Sequence, residues 1–192
     1  HTHFNQCLTA TGRLSSTNPN LQNIPIRTKR GQLVRQAFVA EEGKKLLSVD
    51  YSQIELRILA HISNDPGLCH AFANDLDIHA ATASQIYGVP LTEVTDDLRR
   101  TAKAVNFGIA YGQGAFGLAE TLAIPRKEAQ QIIEKYFTQF KGVKDYIEDT
   151  TMFAHEHFYV ETLFGRRRYI EELKEKNQAI KKFGERAAIN AP

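Results

Sequence analysis

The sequence has no tryptophan, a single methionine (Met152) and only two cysteines, Cys7 and Cys69. Two distant cysteines with no C-x-x-C pair exclude a disulfide framework and point to a reducing, cytoplasmic setting. No apolar run approaches the length of a membrane span, and no signal peptide is visible at the N-terminus. Excess charge of one sign is missing too: 24 Lys and Arg stand against 22 Asp and Glu, a net charge of +2. That is too little for a global field, so any DNA contact has to come from local clusters. There is no repeat and no low-complexity tract. What remains is a chain of 192 residues, 42% hydrophobic, long enough to bury a core and not of disordered composition. It opens on His1-Thr-His3 without an initiator methionine and reads as an internal piece of a longer polypeptide.

Residues 1–32 are rich in Thr, Ser, Asn, Pro and Gly and read as loop with short extended pieces. Partial alternation over Gln32–Glu41 and the apolar run Lys45–Val49 predict two strands, with Glu41-Glu42-Gly43 as the turn between them. From Ser52 the pattern is helical almost to the end, punctuated by Pro90, Pro125 and several glycines. The β-branched and aromatic run Phe158–Phe164 predicts a small hairpin before Gly165. The expected fold class is α+β and predominantly helical: a small sheet portion over 1–51, then a helical region over 52–192.

The most informative segment is Lys103-Ala-Val-Asn-Phe-Gly-Ile-Ala-Tyr-Gly112, with Arg99-Arg100 ahead of it. Arg99, Lys103, Phe107 and Tyr111 are four residues apart, so on a helix each steps round by only about 40° and all four share one face. The stripe changes from charged to aromatic along its length. That order suits a ligand with a polyanionic tail and a flat head, such as a nucleoside triphosphate. The competing reading is an amphipathic helix whose basic end is simply solvated. Asp50, at the end of the apolar run, is a candidate Mg²⁺ ligand and equally a turn or capping aspartate. Ser52-x-x-Glu55 has capping-box spacing. His79 follows Asp77, a helix-cap candidate, and a lone histidine is usually structural or exposed. Asn20, Gln22 and Asn23 are common turn formers, whereas Arg13 and Arg27 are not explained by turns.

The run K-x-x-x-N-F-G-x-x-Y-G resembles motif B of the family A DNA polymerases. Leu46-Leu-Ser-Val-Asp50-Tyr-Ser-Gln-Ile-Glu55-Leu-Arg57 resembles their motif A, and Ala10 to Pro25, with Arg13 and Asn20-Leu-Gln-Asn23, resembles their primer-template segment. Three long motifs in the family's order are specific. Bacterial members match better than phage ones, and the related single-subunit RNA polymerases are disfavoured by Asn-Phe-Gly and Glu55.

The resemblance implies part of a palm followed by a nearly complete fingers subdomain, in a monomer that takes dNTPs and primer-template DNA and has no membrane. It implies that Asp50, with the Tyr51 carbonyl, holds the catalytic Mg²⁺ ions, two in a complete enzyme. It places Tyr51, Gln53, Glu55, His79, Arg99, Lys103, Phe107 and Tyr111 around the dNTP. Arg99 would take the γ-phosphate and Lys103 a point nearer the α-phosphate, with Lys103 able to give a proton to departing pyrophosphate. Phe107 would pack on sugar and base, and Glu55 with Tyr111 would exclude a 2′-hydroxyl. Arg13, Asn20, Gln22, Asn23, Arg27, Arg100, Arg168, Arg186 and Asn190 are implied DNA contacts, and the first of these have the donors that check base pairing in the minor groove without reading sequence. The family's third motif, His-Asp-Glu, is absent, and so is any Asp-Glu dipeptide. The 192 residues by themselves are therefore expected to be inactive, and a non-catalytic nucleic-acid-binding module is the alternative.

Overall fold

The computed structural model describes residues 1–25 and 28–192, so Arg27 lies outside the described residues. The chain divides into two compact units, His1–Ser52 and Gln53–Pro192.

In the first unit, β1 (His3–Asn5) and β2 (Ser15–Thr17) pair antiparallel with His3 opposite Thr17. A short 3₁₀ turn over Leu21–Asn23 follows, and then α1 (Lys29–Gln36). That helix corrects the first expected strand: Thr28 caps it by accepting the Gly31 N–H at 3.1 Å, and Gln, Leu and Arg are good helix formers, so local propensity outweighs a partial alternation. The second expected strand is absent as well. A strand needs a neighbour for its N–H and C=O groups, and none pairs with Lys45–Val49 among the described residues. Leu46, Leu47 and Val49 are exposed there.

The second unit is helical: α2 (Ile54–Ser63), α3 (Pro66–Ala73), α4 (Ile78–Tyr87), α5 (Asp96–Ala110), α6 (Ala115–Leu122), α7 (Arg126–Gln139) and α8 (Lys141–His157). Their apolar stripes meet in one core that includes Leu56, Leu68, Ile78, Val105, Leu118, Tyr136, Phe140 and Val143. No helix of the described residues is long and apolar enough to cross a membrane. Asp65 ties two helix starts together. Its Oδ1 accepts the N–H groups of Gly67 and Leu68 at 3.0 and 3.1 Å, and its Oδ2 accepts the Gly142 N–H at 3.0 Å. One buried carboxylate thus caps α3 and also the start of α8, which has no side-chain cap of its own. The approach is close: a Cβ on Gly142 would lie 2.9 Å from both the Asp65 Cα and the Ser63 carbonyl oxygen.

After α8 the chain forms a hairpin of β3 (Tyr159–Glu161) and β4 (Arg167–Tyr169), with Val160 opposite Arg168. The expected hairpin is present, but shifted. Gly165, at φ 77°, is in the turn and does not follow it, so the arginine run supplies the second strand. A left-handed residue is what a tight turn demands. The hairpin and α9 (Gln178–Asn190) enclose a smaller core of Ala154, Val160, Ile170, Leu173, Ala187 and Ala188.

Candidate nucleotide-binding site

Helix α5 begins with Thr95 accepting the Leu98 N–H and with Asp96 and Asp97 in its first turn, an arrangement that suits the positive end of the helix. Its buried side is Ala102, Val105, Asn106, Gly108 and Ile109. That burial fixes the opposite stripe: Arg99 and Lys103 are exposed, and Phe107 and Tyr111 half-buried. Phe107 and Tyr111 are nearly parallel, with ring centroids 6.2 Å apart.

Helices α2 and α4 bring the other residues to this stripe. The Tyr111 hydroxyl donates to Glu55 Oε2 at 2.5 Å. Gln53, not Ser52, precedes α2, at φ 55° and without a side-chain cap bond. On α4, His79 is 1% exposed, its ring 5.7 Å from that of Phe107. Its Nδ1 is 3.1 Å from Asn106 Nδ2 and its Nε2 is 3.2 Å from Gln53 Nε2. Asp77 caps α4 by accepting the N–H groups of His79 and Ala80, and Arg99 Nε donates to its other oxygen at 2.7 Å.

The electrostatics follow from these contacts. Burial holds the His79 imidazole below its ordinary pKa; Asp77 opposes this, and the cations Arg99 and Lys103 reinforce it. Burial acts to raise the Asp77 carboxyl, but the Arg99 hydrogen bond and the helix N–H groups outweigh it and hold the pKa below the usual value. Arg99, Lys103, Phe107, Tyr111, Glu55 and Gln53 are thus gathered along one stripe of the second unit, with His79 buried against Phe107 and Gln53.

The other predicted residues belong to the first unit or to other parts of the second. Asp50 and Tyr51 are exposed, in a segment without regular structure at the end of the first unit. One carboxylate and one carbonyl are too few for a pair of Mg²⁺ ions, and no three His, Cys, Asp or Glu among the described residues are placed to hold a metal ion. The two residues do not make a two-metal site by themselves. Asn20 and Gln22 are occupied in turn chemistry: Asn20 Oδ1 accepts from the Ser16 hydroxyl and the Gln22 N–H, and Gln22 Nε2 donates to the Leu14 carbonyl at 3.0 Å. Arg13 and Asn23 are exposed in the same unit. Arg100 pairs with Asp97 at 2.6 Å on the outer side of α5.

Arg186 is brought to the far end of the stripe. Gly112, at φ 68°, passes so close to α9 that a Cβ there would lie 3.2 Å from the Arg186 Cα. Asn190 is exposed at the end of α9. Arg168 donates to the Ala187 carbonyl at 3.4 Å, while its neighbour Arg167 bonds Glu161 at 2.7 Å across the hairpin.

Sequence reasoning missed Asn106 and Thr82. Both are fully buried, and the Thr82 hydroxyl donates to the Ile78 carbonyl at 2.8 Å. The signal available was an asparagine at a core position of α5 between Val105 and Ile109, a residue that needs polar partners once buried.

The sequence model of DNA polymerase family A matches residues 1–192. DNA polymerase I of Pseudomonas aeruginosa is 58% identical over 192 residues, covering all of this chain and 21% of that protein. DNA polymerase I of Bacillus subtilis is 56% identical over 193 residues (22% of that protein), and the thermostable DNA polymerase I of Thermus aquaticus is 53% identical over 192 residues (23%). A solved structure of the POL domain of Pol1 from M. smegmatis, in complex with DNA primer-template and dNTP, is 50% identical. It aligns with a TM-score of 0.90 over the whole of this chain and 34% of that one. The chain thus spans about a fifth of the length of the curated relatives it matches. A match over every residue, with a shared backbone, gives one conclusion: the chain belongs to DNA polymerase family A.

Proposed function

We propose that this chain is the nucleotide-binding portion of a template-directed DNA polymerase, and that the α5 stripe is the surface that takes the incoming dNTP. The observation carrying this reading is the order of groups along one helical face, cation to aromatic, ending in the Tyr111–Glu55 bond. Arg99 and Lys103 meet the phosphates, and His79 adds a donor beside them. Arg99 is engaged with Asp77, but a half-exposed ion pair is worth at most about 1 kcal/mol. A triphosphate of higher charge displaces such a partner. Phe107 supports the sugar and base, and Glu55 with Tyr111 closes the space beside C2′. Primer-template DNA follows the cationic and amide residues Arg13, Asn20, Gln22, Asn23, Arg27, Arg100, Arg168, Arg186 and Asn190. The solved relative with primer-template and dNTP bound supports both partners. Magnesium belongs to this reading through Asp50 and the Tyr51 carbonyl, which contribute part of a metal site that needs further carboxylates.

Sugar selection tests the assignment directly. If Glu55 and Tyr111 close the C2′ side, Glu55→Ala should narrow the preference of the chain for dATP over ATP by at least about tenfold, since sites that reject a polar substituent discriminate sharply. Calorimetric titration of both nucleotides into parent and variant measures it. An unchanged ratio with dATP affinity intact would remove Glu55 from the sugar site.

A further inference from the structure

His79 is held at both ring nitrogens by amides: Asn106 Nδ2 is 3.1 Å from Nδ1, and Gln53 Nε2 is 3.2 Å from Nε2. A neutral imidazole has one N–H and one lone pair, so two amide NH₂ groups cannot both donate to it. One amide presents its oxygen instead, and which one is decided by the protons that would otherwise be stranded. Asn106 is fully buried. As oriented, its two amide protons are both used, one on His79 Nδ1 and one on Thr82 Oγ1 at 3.0 Å, while the Thr82 proton goes to the Ile78 carbonyl. Turning the Asn106 amide over would let one N–H reach Thr82 Oγ1, which is 3.2 Å from the present Oδ1, but would leave the second buried N–H without an acceptor among the described residues, which is costlier than an under-used carbonyl. His79 Nδ1 is then the acceptor, the ring proton is on Nε2, and Gln53 must offer Oε1 to it.

Gln53 is poorly settled in that position. In either orientation one end of its amide is buried with no partner among the described residues, because the atom opposite His79 has none. Its backbone is left-handed, at φ 55°, a region costly for a non-glycine residue. A side chain held this way is easily displaced. What it covers is a neutral N–H donor beside Arg99, Lys103 and Phe107.

We propose that Asn106 is a positioning residue that fixes His79 as its Nε2–H tautomer, and that Gln53 is a displaceable cap on that N–H, giving way when an anionic oxygen of the nucleotide takes its place. The second half rests on the nucleotide reading of the α5 stripe. A phosphate oxygen only accepts hydrogen bonds, so the opposite tautomer would turn a lone pair toward it. Burial and the two cations keep the ring neutral, so the tautomer, not protonation, decides whether His79 can serve. On this account Gln53 is a competitor of the ligand and not a contact to it.

Long-range ¹H–¹⁵N spectra of the 192-residue chain report which imidazole nitrogen bears the proton, with His79 assigned by its absence in His79→Gln. The parent should show a protonated Nε2 and a bare Nδ1. Gln53→Ala should keep that tautomer and bind dATP·Mg²⁺ at least as tightly as the parent. Asn106→Asp, whose carboxylate can only accept, should move the proton to Nδ1 and weaken dATP·Mg²⁺ by about tenfold, the loss of one charged hydrogen bond. A bare Nε2 in the parent, or a tautomer that switches in Gln53→Ala, would overturn the assignment to Asn106, and both tests hold even if Asn106→Asp does not fold. Weaker dATP·Mg²⁺ binding by Gln53→Ala would overturn its role as a cap. The expected tautomer with no His79 shift on adding dATP·Mg²⁺ would overturn the nucleotide reading and leave the positioning of the ring standing.

Discussion

Buried without charge, His79 makes the stability of this chain depend on pH in a defined direction. The unfolded imidazole takes up a proton near pH 6.5, and the folded ring resists it. As pH falls through 6.5 the unfolded state therefore binds more protons, and stability declines. The thermal midpoint should drop between pH 7 and pH 5, and His79→Gln should flatten that slope; parallel melts of the two proteins check it, and equal slopes would mean that His79 titrates as an exposed residue. At this scale the sequence was informative where a residue's role follows from spacing. Arg99, Lys103, Phe107 and Tyr111 share a face because helical geometry requires it. It was less informative where a role depends on a partner far along the chain. Glu55 has the spacing of a capping box, and it also bonds Tyr111, 56 positions away, a contact that only the fold brings about. Asn20 and Gln22 are engaged with their neighbours, the turn chemistry that their residue types also predicted.

Among the elements, Asp65 joins the starts of α3 and α8, and Tyr136 fills the core beneath them, 0% exposed and with no hydrogen-bond partner for its hydroxyl among the described residues. Burial raises the pKa of that phenol, and the negative Asp65 adds to the effect. The two residues should respond in opposite ways. Asp65→Ala strips the acceptor from three N–H groups and should cost about 2–4 kcal/mol. Tyr136→Phe removes a buried, unpaired hydroxyl and should leave stability unchanged or raise it by up to about 1 kcal/mol. Urea denaturation of the two variants measures both, and a Tyr136→Phe loss comparable to that of Asp65→Ala would show that the hydroxyl has a partner. The helices were legible from the helical pattern after Ser52 and from the cap candidate Asp77. Of the strands, the hairpin after α8 was legible, though shifted, and the two expected before Asp50 were not. Gln32–Gln36, the first half of one expected strand, became part of α1 because Thr28 caps a helix there, and Lys45–Val49 has no neighbouring strand with which to pair among the described residues. Sheet structure depends on partners that a local pattern does not contain.

For the whole molecule, family membership covers all 192 residues, while the chemistry is divided unevenly along them. The groups expected to hold and select a nucleotide are gathered on α2, α4 and α5 of one compact unit, whereas the one carboxylate expected to hold metal is exposed in the other. On the proposed reading this distribution supports nucleotide recognition without a complete metal site, so nucleotide binding, not primer extension, is the property that tests it. Calorimetric titration of dATP·Mg²⁺ into the 192-residue chain and its Lys103→Ala variant is the most direct measurement. Lys103 is exposed on the stripe, so its removal should spare the fold. Saturable binding by the parent, weakened roughly ten- to a hundredfold in the variant, is the predicted result, since a hydrogen bond to a charged group carries that weight. Equal affinity in the two proteins, with their thermal midpoints matched, would contradict the claim that the α5 stripe is the nucleotide-binding surface.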